Sequence, residues 1–240
     1  MRKQILALFP EPKSFDRYIE PFGGAGWVLF AKDRHAELEV YNDYEEQLVN
    51  LFRCVKYHAD ELQREICGFL TSREFFEDAK LQMNMRGLTD IQRAARYFLA
   101  IKLSYGADQR TFGCVSRNLE TAAEYLTVVR DRLKAVVIEH KDFEDLINVY
   151  DRPSALFYCD PPYHGSEKYY PTAFEKKDHE RLAACLRKVK GRFILSYNDD
   201  SYIRELYADY HILPVERPHN LVLRDANRNH TYKELLIRNF

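Results

Sequence analysis

The residues of this 240-residue chain best suited to chemistry are Asp160-Pro161-Pro162-Tyr163, which end the apolar run Leu156-Phe157-Tyr158-Cys159. Two successive prolines stiffen the backbone and remove two N–H donors, so nearby carbonyls stay available as acceptors. The Asp160 carboxylate and the Pro161 carbonyl can then accept hydrogen bonds from one amino group. Tyr163 offers a flat face for a planar base, a contact worth about 1–3 kcal/mol. This set suits the exocyclic amine of a nucleobase, a poor nucleophile because its lone pair is delocalised into the ring. Two acceptors on its hydrogens favour a more tetrahedral nitrogen and stabilise the positive charge that grows as it attacks. With an activated methyl donor, no nucleophilic residue and no metal is required, and catalysis is positioning for in-line displacement. The plainer alternative is a rigid turn after a buried strand.

Three further stretches follow strand-like runs, and ligands of open parallel sheets bind beyond the carboxyl ends of the strands. Pro21-Phe22-Gly23-Gly24-Ala25-Gly26 follows Arg17-Tyr18-Ile19-Glu20. Its glycines let a ligand approach the backbone closely. The spacing is not GxGxxG, however, and a tight strand-to-helix turn explains it equally well. Asp43 follows the strand-like Glu37 to Tyr41. An acid there can accept hydrogen bonds from both hydroxyls of a ribose, or it can cap the next helix. Asp142-Phe143 follows Ala135 to Glu139 and is either a frame for a purine or a structural pair.

To position these residues the chain needs a parallel α/β sheet. The apolar runs place strands at 17–20, 37–41, 135–139, 155–159, 192–196, 210–215 and 234–237, with a helix following the glycine turn from Trp27. Glu45 to Tyr57 carries Leu48, Leu51, Phe52 and Val55 at helical spacing. From His58 to about Lys134 the period is almost entirely helical, around a polar loop at 104–118. The simplest architecture is an α/β domain over 1–56 and 135–240, interrupted by a helical insert at 57–134. No stretch approaches the roughly 20 apolar residues of a membrane span, and the N-terminal run does not read as a signal peptide. The five cysteines form no CxxC pair. They fit reduced thiols in a cytoplasmic protein and offer no metal-ligand spacing.

In their order, these residues resemble the Dam-like (class alpha) DNA adenine-N6 methyltransferases, where a glycine motif, an acidic ribose contact, an insert and Asp-Pro-Pro-Tyr follow one another. The resemblance covers nearly the whole chain. It implies a Rossmann-like, S-adenosylmethionine-dependent methyltransferase sheet with a small helical target-recognition domain. It also implies S-adenosylmethionine as donor, S-adenosylhomocysteine as product, no metal, and double-stranded DNA whose target adenine is flipped out of the stack. Asp160, Pro161, Pro162 and Tyr163 are then the catalytic tetrapeptide. Pro21, Phe22, Gly23, Gly24 and Gly26 are the donor loop, Asp43 is the ribose ligand, and Asp142-Phe143 holds the donor's adenine, with Asp160 also bordering the donor. The family usually opens on a Gly-Gly-Lys segment before the first helix. This chain begins at about the residue that should follow it, so Arg2 or Lys3 substitutes, or the sequence starts late, or donor binding is weakened. A bacterial or phage-encoded cytoplasmic enzyme is expected.

Net charge is only −1, so the totals predict no polyanion partner. Nucleic acids are gripped by local patches, however. Lys80, Arg86, Arg93, Arg96, Lys102, Arg110 and Arg117 are opposed in their stretch only by Asp90 and Asp108. Alone this reads as a solvated helix face. With the resemblance, Arg86, Arg93, Tyr105, Arg110 and Arg117 become candidates for phosphate contacts and base reading. Arg224 and Arg228, in a polar loop before the last strand, are a second candidate surface or a solvent-exposed hairpin. Three rival readings share these motifs. They are an RNA methyltransferase acting on an exocyclic amine, a cytosine-N4 methyltransferase (usually with Ser in place of Asp160), and a catalytically inactive DNA-binding relative.

Overall fold

Apolar spacing sets the order of elements: α1 (Arg2–Ala7), β1 (Arg17–Glu20), β2 (Leu38–Asn42), α2 (Glu46–Tyr57), α3 (Ala59–Cys67), α4 (Arg73–Gln82), α5 (Asp90–Leu103) and α6 (Leu119–Leu133). There follow β3 (Val136–Glu139), α7 (Phe143–Tyr150), β4 (Ala155–Cys159), α8 (Lys176–Leu186), β5 (Arg192–Asn198), α9 (Ser201–Leu206), β6 (His211–Pro218) and β7 (Thr231–Arg238). The computed structural model describes every residue except 108, 115–117, 168–172 and 219–230.

The strands form one seven-stranded sheet in the order β3-β2-β1-β4-β5-β7-β6. β1 runs parallel to both β2 and β4, and β4 runs parallel to β5. β7 is antiparallel to β5 and β6. Every residue of β4 is buried, as a central parallel strand covered on both faces requires. The chain leaves β1 towards β2 and later returns on the other side of β1 as β4. This is a topological switch point, where open α/β sheets hold their ligands. Glu20-Pro21 and Asp160 lie at the carboxyl ends of the two strands that flank it.

The chain forms two compact units, Met1–Tyr44 with Glu139–Phe240, and Glu45–Ile138. The sequence places these boundaries at 57 and 134. α2 accounts for the difference at the first: its apolar face, with Val49, Leu51, Phe52 and Val55 buried, packs on α5 and α6. Within the helical unit, Ser72 caps α4, Thr89 and Gln92 form a capping box on α5, and Asn118 caps α6. Each such cap contributes roughly 0.5–2 kcal/mol.

One expectation needs correction. The helix expected after the glycine turn is only a 3-10 turn, Leu29–Ala31. Phe30 N donates to Gly26 O at 2.8 Å and closes one turn, after which Lys32 is extended. The polar run Lys32-Asp33-Arg34 offers no apolar face on which a helix might continue. At the N-terminus, α1 forms with Ile5 buried and with Arg2 and Lys3 exposed. Among the described residues, no helix is long and apolar enough to cross a membrane.

Candidate active site

Asn42, the last residue of β2, ties together the loops that leave three strands. Its carbonyl accepts from Gly23 N at 2.7 Å. Its amide nitrogen donates to Pro21 O at 2.8 Å and Lys141 O at 3.1 Å, and its side-chain oxygen accepts from Lys141 N at 2.8 Å. The glycine turn is locked from the same strand: Tyr41 OH donates to Gly24 O at 2.7 Å, and Gly24 N donates to Asp43 Oδ2 at 2.8 Å. A Cβ on Gly23 would fall 2.3 Å from the Tyr41 ring, so the position has no room for a side chain. Gly24, with φ +49°, would place a Cβ in open space. The loop therefore presents bare backbone, with the Asp43 carboxylate at its rim. The alternative reading of Asp43 as a helix cap does not hold, because Glu45 caps α2 and accepts from Gln47 N at 3.2 Å.

Phe22 and Phe143 lie side by side, ring centroids 5.4 Å apart, and Phe174 closes the group at 5.9 Å from Phe22. Asp142 caps α7, accepting from Glu144 N at 3.0 Å, and its Oδ1 also accepts from Arg181 Nη2 at 2.8 Å. Bare glycine backbone, an acid at its rim, and an aromatic pair beside a carboxylate are the parts that a nucleoside ligand requires. They fit an adenosine-bearing donor. Among the described residues, no three His, Cys, Asp or Glu side chains converge as metal ligands.

At the end of β4, Asp160 is exposed, Pro161 and Pro162 are buried, and Tyr163 is half-buried. Ser196, on β5, donates to Asp160 Oδ1 at 2.6 Å, and the Tyr158 hydroxyl lies 3.1 Å from the Ser196 hydroxyl. Beyond the tetrapeptide, Asn198 Nδ2 donates to His164 O at 3.0 Å. Behind Tyr163, at 6.1 Å between ring centroids, stands Tyr197, whose hydroxyl lies 2.6 Å from His179 Nδ1. His179 Nε2 is 3.0 Å from Glu167 Oε1. The tautomer with Nε2–H directed at the carboxylate lets Nδ1 accept from the tyrosine. Glu20, fully buried at the end of β1, is pushed up to about 8, chiefly by burial, with the neighbouring Asp160 and Glu39 adding to the shift. The Tyr18 hydroxyl, which donates to Glu20 Oε1 at 2.5 Å, acts in the opposite direction.

The structure thus brings Phe22, Gly23, Gly24, Asp43, Asp142, Phe143, Asp160 and Tyr163 to the carboxyl ends of the strands. Sequence reasoning gave no role to Asn42, Ser196, Arg181 or His179 and missed the burial of Glu20. Of these, only Asn42 and Glu20 had a signal, since each adjoins a motif.

Of the nucleic-acid candidates, Arg86, Arg93, Tyr105 and Arg110 lie in the helical unit. Ser104 pairs with Phe112 in an antiparallel bridge, and Tyr105 N donates to Thr111 O at 2.8 Å. These contacts close a small loop, with Tyr105 and Arg110 exposed on it. Arg86 is exposed as well, whereas Arg93 pairs with Asp90 of its own helix. Arg96 is structural: it bonds Gln82 and Glu65 and rests 5.4 Å over the Phe69 ring. Arg117, Arg224 and Arg228 lie outside the described residues.

The chain is similar in sequence to several known methyltransferases. The chain is 27% identical to the type II methyltransferase M.MjaIII of Methanocaldococcus jannaschii, over 100% of this chain and 96% of that one. It is 24% identical to the type II methyltransferase M1.LlaDCHI of Lactococcus lactis subsp. cremoris, over 95% and 88%. It is 25% identical to the type II methyltransferase M.CviBI of Paramecium bursaria Chlorella virus NC1A, over 83% and 79%. Residues 1–221 match one family profile, that of the D12 class N6 adenine-specific DNA methyltransferases. With that match running through the glycine turn, the insert and the Asp160 tetrapeptide alike, the chain belongs to the D12 class N6 adenine-specific DNA methyltransferases.

Proposed function

We propose that this site-specific DNA adenine methyltransferase holds the target amine between Asp160 and the Pro161 carbonyl, and takes its donor on the Gly23-Gly24 loop. Membership of the family implies S-adenosylmethionine as donor and DNA as substrate. The observation that carries the reading is the short bond from Ser196 to Asp160 Oδ1, which aims a carboxylate at the switch point of the sheet.

S-adenosylmethionine supplies an already activated methyl group. The residues of the chain do the rest by positioning. Asp160 and the Pro161 carbonyl accept the two amine hydrogens and stabilise the positive charge that develops on the nitrogen. The base has to leave the duplex to reach them, and Tyr163, backed by Tyr197, gives it a face on which to stack. Because Asp160 is exposed, the proton that the amine loses has a short path to water. On the donor side, Asp43 takes the ribose hydroxyls, while Asp142 and Phe143 frame the donor's adenine. The helical unit is the target-recognition domain, and Tyr105 and Arg110 on its small loop contact duplex DNA.

The test is direct. The protein is incubated with isotope-labelled S-adenosylmethionine and unmethylated duplex DNA of mixed sequence, and the labelled nucleoside is identified by mass spectrometry. The expected product carries label on adenine N6, and Asp160→Ala abolishes it while the fold persists. Label on cytosine N4, or label only when RNA replaces the DNA, overturns the assignment of substrate. A near-wild-type rate in Asp160→Ala overturns the role of Asp160.

A further inference from the structure

Both residues that frame the donor's adenine are held by one side chain from a distant part of the chain. Arg181, on α8, directs Nη2 to Asp142 Oδ1 at 2.8 Å and to Glu144 Oε2 at 3.2 Å. Its Nη1 donates to Asp178 Oδ1 at 2.9 Å. The same guanidinium lies over the Phe143 ring, its central carbon 4.8 Å from the centroid. One planar group therefore bonds the carboxylates through its N–H fork while lying over the aromatic ring, a combination that the single ammonium of lysine does not reproduce. Without it, the carboxylates of Asp142, Glu144 and Asp178 would lose a cation that they share, and among the described residues Asp142 would keep only its bond from Glu144 N.

We propose that Arg181 is a positioning residue for donor binding, fixing the Asp142 carboxylate and the Phe143 ring in the arrangement that frames the adenine of S-adenosylmethionine. This rests on the reading of Asp142-Phe143 as that frame. Arg181 lowers the ordering cost of binding by setting the frame before the donor arrives. Its contribution goes to the nucleoside, which donor and product share, so it acts on S-adenosylmethionine and S-adenosylhomocysteine alike.

The experiment measures calorimetric affinity for S-adenosylmethionine and S-adenosylhomocysteine in the wild type, Arg181→Met, Arg181→Lys, Asp142→Asn and the Asp142→Asn/Arg181→Met double variant. Methyl-transfer kinetics are run on the same proteins. Arg181 is 40% exposed in its side chain, so the variants are expected to fold, and Arg181→Lys serves if Arg181→Met does not. Arg181→Met is expected to weaken both ligands by about tenfold and to raise the donor KM, leaving kcat at saturating donor within about twofold. Arg181→Lys recovers only part of the loss, and Arg181→Met adds little to Asp142→Asn, because the two act as one unit. If Asp142→Asn weakens both ligands and Arg181→Met weakens neither, Arg181 is a surface ion pair and the proposal fails. If only the cationic donor is affected, the effect is charge at a distance and the proposal also fails. If Asp142→Asn itself changes nothing, the adenine-frame reading falls, and the proposal with it.

Discussion

Ser196 Oγ donates to Asp160 Oδ1 at 2.6 Å, from a strand whose sequence lies 36 residues further on. A hydrogen bond to a charged group is worth about 1.5–3 kcal/mol. In the proposed function it orients the carboxylate that receives the target amine. Ser196→Ala is therefore expected to lower kcat by about 10- to 100-fold, with KM for DNA and for donor within about twofold. Ser196→Thr, which keeps the hydroxyl, restores part of the rate. Steady-state kinetics on the three proteins decides it. An unchanged kcat in Ser196→Ala would mean that Asp160 is held by other contacts.

The glycine turn yields a prediction about packing. The Cβ of Gly23→Ala would meet the Tyr41 ring at 2.3 Å, and overpacking of this kind costs about 1–3 kcal/mol. The loss is expected to shrink in a Tyr41→Ala background, where the ring is gone. A double-mutant cycle by denaturant unfolding reads this as non-additivity. Additive losses would show that the strain resides in the backbone of the turn and not against Tyr41.

Glu20 gives the protein a pH dependence with a definite sign. Its folded-state pKa, pushed up to about 8 by burial, lies above the ordinary 4.5. Between those values the folded protein keeps a proton that the unfolded chain has released, so this group's stabilising contribution is complete below pH 4.5. It declines as pH rises towards 8, by up to about 1.4 kcal/mol per pH unit. Glu20→Gln never ionises, so its stability relative to wild type should improve from pH 5 to pH 9. Urea unfolding at pH 5, 7 and 9 measures the difference. A difference that stays flat across that range would place an ionised, well-solvated carboxylate at this position.

The motifs were legible because each is a short stretch next to a strand end. The seven strands fall within a few residues of where the apolar runs place them, so Asp43, Asp142 and Asp160 gather once the sheet is assembled. What was hidden works across the chain. Arg181 reaches Asp142 from 39 residues away, and neither it nor Ser196 adjoins a motif. Helix-like spacing after Gly26 misled because one turn of apolar residues runs straight into Lys32-Asp33-Arg34, and the side of the boundary on which α2 falls was not legible because periodicity reveals an apolar face without naming its partner. Of the two readings of Asp43, the helix cap is excluded by a neighbour, since Glu45 caps α2 in its place.

The helical unit separates arginines that look alike in sequence. Arg110 is exposed on the small loop closed by Ser104 and Phe112. Arg93 is engaged by Asp90, three residues earlier on the same helix, while Arg96 is built into the packing with Glu65, Gln82 and Phe69. A phosphate contact made by Arg110 would release counterions, so Arg110→Ala should weaken DNA binding and reduce the slope of log affinity against log salt by about 1. Arg93→Ala should leave that slope nearly unchanged. Arg96→Ala should instead lower the unfolding temperature, because it removes a packed guanidinium. DNA titrations at several salt concentrations, with thermal unfolding alongside, separate the three. If Arg93→Ala matched Arg110→Ala in both affinity and slope, DNA would have to displace Asp90 from Arg93, and the α5 surface itself would be part of the DNA contact.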